Sequence, residues 1–153
     1  MIFLVRHAKA GHRNDESPSD SQRPLTAAGW EQANKIVGPL IEAGAMGPLL
    51  SSPFVRCQQT LSVLAQRLGQ DVHLDSRLRE GKAFLPMLEL MAQTADGSVL
   101  CSHGDMIPDV MTAIERRGCL ITTPANWKKG SVWAIERSVD GKFITAGSWP
   151  PPG

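Results

Sequence analysis

"IFLVRHAKAG" (Ile2–Gly11) is the stretch that decides how the chain is read. Ile2 to Val5 is an unbroken run of large apolar side chains without alternation, the pattern of a strand covered on both faces in a parallel sheet. Directly behind it come Arg6, His7 and Lys9, then His12 and Arg13 past a glycine, with no carboxylate among them. A buried strand that empties into cations places them at its carboxyl end, which is where open α/β sheets bind ligands.

Outward from this strand the chain alternates. "GHRNDESPSDSQRP" (Gly11–Pro24) is polar and turn-rich, a loop. Apolar residues at Ala33, Ile36, Val37, Leu40 and Ile41 predict a helix with one buried face, capped by Thr26 and stopped near Gly44, with a kink or early end at Pro39. "MGPLLSSP" (Met46–Pro53) predicts a short second strand, then a helix with Ser52 as cap and Pro53 in the first helical position. Cys57, Thr60, Leu61, Leu64 and Leu68 form that helix's buried face, and Gly69 ends it. "DVHLD" (Asp71–Asp75) reads as a third strand, Phe84–Ala95 as a helix, Ser98–Ser102 as a fourth strand and Met106–Arg117 as a helix. "SVWAIERSVDGKFITAG" (Ser131–Gly147) predicts two strands turning at Asp140-Gly141.

Strands alternating with helices predict an α/β fold: a three-layer αβα sandwich whose mainly parallel sheet carries a C-terminal antiparallel hairpin. A single domain is expected over residues 1–149, with 150–153 a tail. The 153 residues suffice for a core without metal or disulfide staples. A formal net charge of +1 gives no global attraction to nucleic acid or a membrane surface, so the basic cluster is local. No apolar stretch approaches the ~20 residues that span a bilayer. The apolar N-terminal run is too short for a secretory signal, and Cys57, Cys101 and Cys119 show no CxxC spacing. Reduced thiols and a cytoplasmic location are expected.

Three segments place cations at strand ends: Arg6-His7, Arg56 and His103-Gly104. Arg56 falls in a first helical turn, where a cation opposes the helix dipole at a cost of about 0.3–1 kcal/mol. An anion bound at that helix start reverses the sign. Two guanidinium forks and two imidazoles suit a tetrahedral phosphoryl group, and a neutral imidazole is a competent nucleophile toward phosphorus. Other phosphate chemistries lack their residues. Cys101 has Ile107, not arginine, at the sixth position after it; a Walker loop and the HExxH and HxH spacings are absent. Neither metal nor cofactor is expected.

"RHAKAG", "RPLT", "SSPFVRCQQT" and "CSHGD", in that order, resemble the histidine phosphatase superfamily, which includes the cofactor-dependent phosphoglycerate mutases. The resemblance runs from about residue 2 to 110. It is closest to the small SixA-type phosphohistidine phosphatases and to the histidine-phosphatase domain fused to some Nudix hydrolases. It implies that His7 is the nucleophile, becoming phosphohistidine, and that Arg6, Arg56 and His103 clamp the phosphoryl group. "RLREG" (Arg77–Gly81) lies where the family keeps its general acid, making Glu80 the candidate proton donor, with Asp105 a second candidate or a helix cap.

Two departures stand out. Ala8 replaces the family's usual glycine, and the stretch from Arg56 to His103 lacks the insertions that form a lid in the mutases. Easy access of water implies a phosphatase rather than a mutase. Lys9, His12 and Arg13, with Gly104 and Asp105, are assigned to the substrate, the basic run to further negative charge such as a second phosphate. The substrate class stays open among a phosphohistidine protein, a nucleotide or dinucleotide polyphosphate and a small phosphomonoester. The alternative from another class is a non-catalytic phosphate-binding interaction module on the same fold.

Overall fold

The computed structural model describes residues 1–12 and 19–153. Its elements follow in the order β1 (Ile2–Arg6), a 3₁₀ turn (Asp20–Gln22), α1 (Ala27–Lys35), α2 (Val37–Glu42), β2 (Leu49–Ser51), α3 (Val55–Leu68) and β3 (Val72–Leu74). A second 3₁₀ turn (Ser76–Leu78) leads to α4 (Phe84–Gln93), β4 (Val99–Ser102), α5 (Met106–Arg116), β5 (Leu120–Ile121), β6 (Val132–Arg137) and β7 (Phe143–Trp149). Among the described residues these strands form one seven-stranded sheet in the order β3-β2-β4-β1-β6-β7-β5. The pairs β1–β4, β2–β4, β2–β3 and β5–β7 are parallel, while β6 is antiparallel to both β1 and β7.

The unbroken apolar run of β1 is explained by its place. Ile2 and Leu4 enter one core with α4 and α5, whereas Phe3 and Val5 enter a second core with α2 and α3. All four are fully buried, so the sheet is the middle layer of a three-layer sandwich, as expected. The fold class read from the sequence is the one observed, and the hairpin turns at Ser138–Lys142 with Gly141 at φ +84°.

The helix read from Thr26 to Gly44, with a kink or early end at Pro39, is two helices divided at Ile36, because Pro39 has no N–H to give to the carbonyl of Lys35. Two other local readings need correction. The helix after β2 starts at Val55 rather than Pro53, and Ser52 is not its cap; the capping position is Phe54, which offers no side-chain acceptor. The two-residue strand β5 was not anticipated, being too short to show a period. Strands β2, β4 and β1 lie side by side and parallel, so their carboxyl ends open on one edge of the sheet.

Candidate active site

His7 leaves β1 with its backbone N–H donated to the carbonyl of Ser102 in β4, 3.1 Å away. Its side chain is only 4% exposed. Nδ1 lies 2.8 Å from the carbonyl oxygen of Ala8, a group that only accepts, so the neutral ring carries its proton on Nδ1. Nε2 is then a lone pair, and it accepts from Nε of Arg56 at 3.3 Å. Burial pushes the His7 pKa down to about 3; the charges of Arg56, His103 and Arg6 act in the same direction, while the bond to Ala8 opposes them. His7 is a neutral imidazole at any ordinary pH.

Arg56 stands in the first turn of α3 and is 1% exposed. Its guanidinium lies 4.8 Å over the Phe54 ring, donates to the carbonyl and carboxylate of Asp20 at 3.0 and 3.2 Å, and comes 3.6 Å from the Glu80 carboxylate. Carboxylates thus stand at the helix start, where an anion was expected. Arg6, half-buried, donates through Nη1 to the carbonyl of Trp127 at 2.6 Å, and burial with the nearby Arg56 charge lowers its pKa. A methyl group on Gly104 would stand 2.6 Å from the Arg6 Cζ, so only glycine lets the loop after β4 lie against that guanidinium.

His103 is fully buried at the end of β4, its ring edge-on to His7 with centroids 5.5 Å apart. Its Nε2 lies 2.8 Å from Ser52 Oγ, which also accepts from the N–H of Phe54. Giving the serine proton to Nε2 satisfies that hydroxyl and leaves the imidazole proton on Nδ1. His103 Nδ1 and Arg6 Nε are buried without a hydrogen-bond partner among the described residues. Unpaired buried donors of this kind are what a bound oxyanion would satisfy.

The structure therefore brings Arg6, His7, Arg56, His103 and Glu80 together. Gly104 touches Arg6, and the charge of Asp105 also acts on Arg6; Asp105 makes no helix-capping bond, and its carboxylate accepts from the N–H of Gly81 at 2.8 Å, tying the Glu80 loop to the turn after β4. Lys9 and His12 line a neighbouring cavity that Arg6 shares. Arg13 lies outside the described residues. The burial of His7 also corrects the picture of an open pocket: no insertion follows Arg56, yet the 3₁₀ turn at Asp20 approaches from the loop before α1 and covers Arg56. Sequence reasoning missed Asp20, Ser52, Thr60 and Trp127. Thr60 takes the Ala8 N–H at 3.0 Å and gives its proton to the Arg56 carbonyl at 2.7 Å, binding the two clamp segments. Among the described residues no group of three or more metal-ligating side chains gathers, and no helix is long and apolar enough to cross a membrane.

At the end of β1, on an α/β sandwich, a buried neutral imidazole accepts from Arg56 and meets a second histidine edge-on. The family model of the histidine phosphatase superfamily (branch 1) matches residues 2–85, and the chain belongs to that superfamily. It is 32% identical, over 99% of its length, to an 8-oxo-(d)GTP phosphatase of Mycolicibacterium smegmatis, of which it covers 48%. Over 52% of its length it is 38% identical to a probable phosphoglycerate mutase GpmB of Shigella dysenteriae, covering 37% of that protein. The chain thus spans half or less of the curated relatives it matches. The same fold is seen in the protein histidine phosphatase SixA complexed with tungstate (TM-score 0.70, 22% identity, 95% and 94% of the two chains). It recurs in the putative phosphohistidine phosphatase SixA of Agrobacterium tumefaciens (TM-score 0.71, 20% identity, 89% and 90%).

Proposed function

We propose that the chain is a phosphatase working through a phosphohistidine on His7. The observation that carries this reading is the orientation of one ring: with Nδ1–H held on the Ala8 carbonyl, Nε2 presents its lone pair among the cations. In the first step Nε2 bonds to phosphorus and the bond to the leaving oxygen breaks. Arg6, Arg56 and the free Nδ1–H of His103 receive the equatorial oxygens as charge builds on them, and Arg56 gives up its contact with Nε2 as phosphorus arrives. Glu80, beside the guanidinium assigned to the phosphoryl group, is the candidate proton donor to the leaving oxygen, with Asp105, bonded to the N–H of Gly81, the second candidate. In the second step that donor's carboxylate takes a proton from water, the water oxygen bonds to phosphorus, and the P–N electrons return to Nε2.

Hydrolysis is favoured over return of the phosphoryl group to a sugar acid because the relative matched over 99% of the chain is named a phosphatase, whereas the probable mutase matches only 52% of it. The names of the relatives, an 8-oxo-(d)GTP phosphatase and SixA phosphatases, agree with a phosphatase and differ on substrate. Turnover of p-nitrophenyl phosphate in EDTA, by wild type and His7→Ala, tests the reading. Metal-independent turnover that vanishes in the variant, with an acid-labile phosphoryl adduct trapped on wild type only, is expected. Phosphate binding without turnover in either protein would mean an interaction module instead.

A further inference from the structure

A cavity of about 660 Å³ shares Arg6 with the His7 site but is not lined by His7, Arg56 or His103. Cationic side chains converge on it from separate segments: Arg6 from the end of β1, Lys9 and His12 from the loop behind it, and Lys128 and Lys129 from the turn before β6. Among its described lining residues there is no carboxylate. In a chain whose net charge is +1, so one-sided a gathering is a local design for a polyanion rather than a reflection of composition.

The two lysine-bearing segments are fixed to each other. Gln32 of α1, a buried side chain, accepts from the backbone N–H of Lys9 at 2.9 Å and donates to the carbonyl of Lys129 at 3.3 Å. The next residue, Gly130, donates its N–H to the carbonyls of Arg6 and His7, each at 3.2 Å. It does so with φ +84° and with Gln32 packed where a side chain would stand, so glycine is required there. The lysine turn is therefore docked on the backbone of the His7 segment, and the cavity opens one guanidinium away from the nucleophile. Lys129 is half-buried; burial and then the charges of Arg6, Arg23 and Arg56 lower its pKa, as expected for an ammonium held in a positive field.

We infer that this cavity, with Lys9, Lys128 and Lys129, is a subsite for a second phosphoryl group joined to the first by an anhydride oxygen, so that the substrate class is a di- or polyphosphate. This deepens the phosphatase reading and rests on it. The terminal phosphoryl occupies the His7 pocket and the next one the lysine cavity, with Arg6 between them. When His7 Nε2 bonds to the terminal phosphorus, the bond to the bridging oxygen breaks and that oxygen leaves on the shortened phosphate chain, which the lysines hold. Such a leaving group is a far weaker base than an alkoxide and needs less help from a proton donor. Gln32 is a positioning residue for both lysine segments.

Inorganic tripolyphosphate serves as probe, because it offers phosphoryl groups and nothing else. Wild type is expected to show a higher kcat/KM for tripolyphosphate than for p-nitrophenyl phosphate. In Lys128→Ala/Lys129→Ala the ratio of the two should fall by at least about tenfold, the loss of one charge-assisted contact or more. A ratio unchanged within about twofold would overturn the subsite while leaving the phosphatase intact. Calorimetry on His7→Ala protein keeps the two questions apart. There tripolyphosphate should bind more tightly than orthophosphate, and the added lysine substitutions should remove the difference. Equal affinities would refute the subsite whether or not the wild type turns over either compound.

Discussion

Adding one methyl group at position 104 should disable the site without unfolding the protein. The Cβ of Gly104→Ala would stand 2.6 Å from Cζ, 2.7 Å from Nη2 and 2.9 Å from Nε of Arg6. Ordinary carbon contacts are about 3.5–4.0 Å, so the guanidinium must retreat by about 1 Å. Its Nη1 is held at 2.6 Å by the Trp127 carbonyl, which directs the retreat but does not absorb it. A displacement of about 1 Å in a positioned group costs on the order of 10²-fold, or roughly 2.7 kcal/mol at the transition state. Folding should suffer less. Gly104 has no left-handed backbone to lose, and replacing glycine by alanine stabilises by about 0.4–1 kcal/mol through the unfolded state, against about 1–3 kcal/mol for crowding. Steady-state kinetics on p-nitrophenyl phosphate should therefore show kcat/KM down about 10²-fold, while the urea midpoint moves little. Since the effect runs through Arg6, Gly104→Ala should cost almost nothing more in an Arg6→Ala background. Wild-type kinetics, or a full additional loss in that background, would refute the reasoning.

Two further outcomes follow from the same geometry. Because the native His7 pKa is about 3, the unfolded chain takes up this proton as pH falls below about 6.5 and the native state does not, so this residue's contribution to stability falls with pH through that window. Between pH 7 and 5 the wild type should lose about 2 kcal/mol more than His7→Gln in urea unfolding, and equal slopes would remove the buried neutral imidazole. Thr60→Val keeps the shape of a fully buried side chain but orphans the Ala8 N–H, so chemical denaturation should register a loss of about 1–3 kcal/mol; a change below about 0.5 kcal/mol would deny that bond its role.

What the sequence disclosed and what it hid divide along a physical line. Ile2–Val5 and Val99–Ser102 announce themselves because a strand buried on both faces must be apolar at every position, and the cations behind them stand out against that background. Arg56 was legible because a cation in a first helical turn is locally unfavourable and calls for a reason. Asp20, Trp127 and the lysine pair carry no such local mark. Asp20 reaches Arg56 from 36 residues away and the Trp127 carbonyl reaches Arg6 from 121. A backbone carbonyl is moreover the same in every residue, so no side-chain pattern can single it out. Ser52 misled for a related reason: a serine before a proline looks like a helix cap by local chemistry, and only the tertiary approach of His103 claims its hydroxyl.

The same contrast bears on why the site is built as it is. Arg56, His7 and His103 are almost wholly buried, and cations are costly to bury unless they are paired. The fold lowers that cost in two ways. It keeps His7 neutral through its proton on the Ala8 carbonyl, and it sets carbonyl and carboxylate oxygens of Asp20, Glu80 and Trp127 against the guanidiniums. It stops short of full compensation, since Arg6 Nε and His103 Nδ1 have no partner among the described residues. Buried donors left without a partner are a standing cost to the folded state. On the proposed phosphatase reading, an oxyanion meeting these donors would remove that cost, and the more charge it gathered on its oxygens the more it would remove, so binding would strengthen as the transferring group approached its transition state.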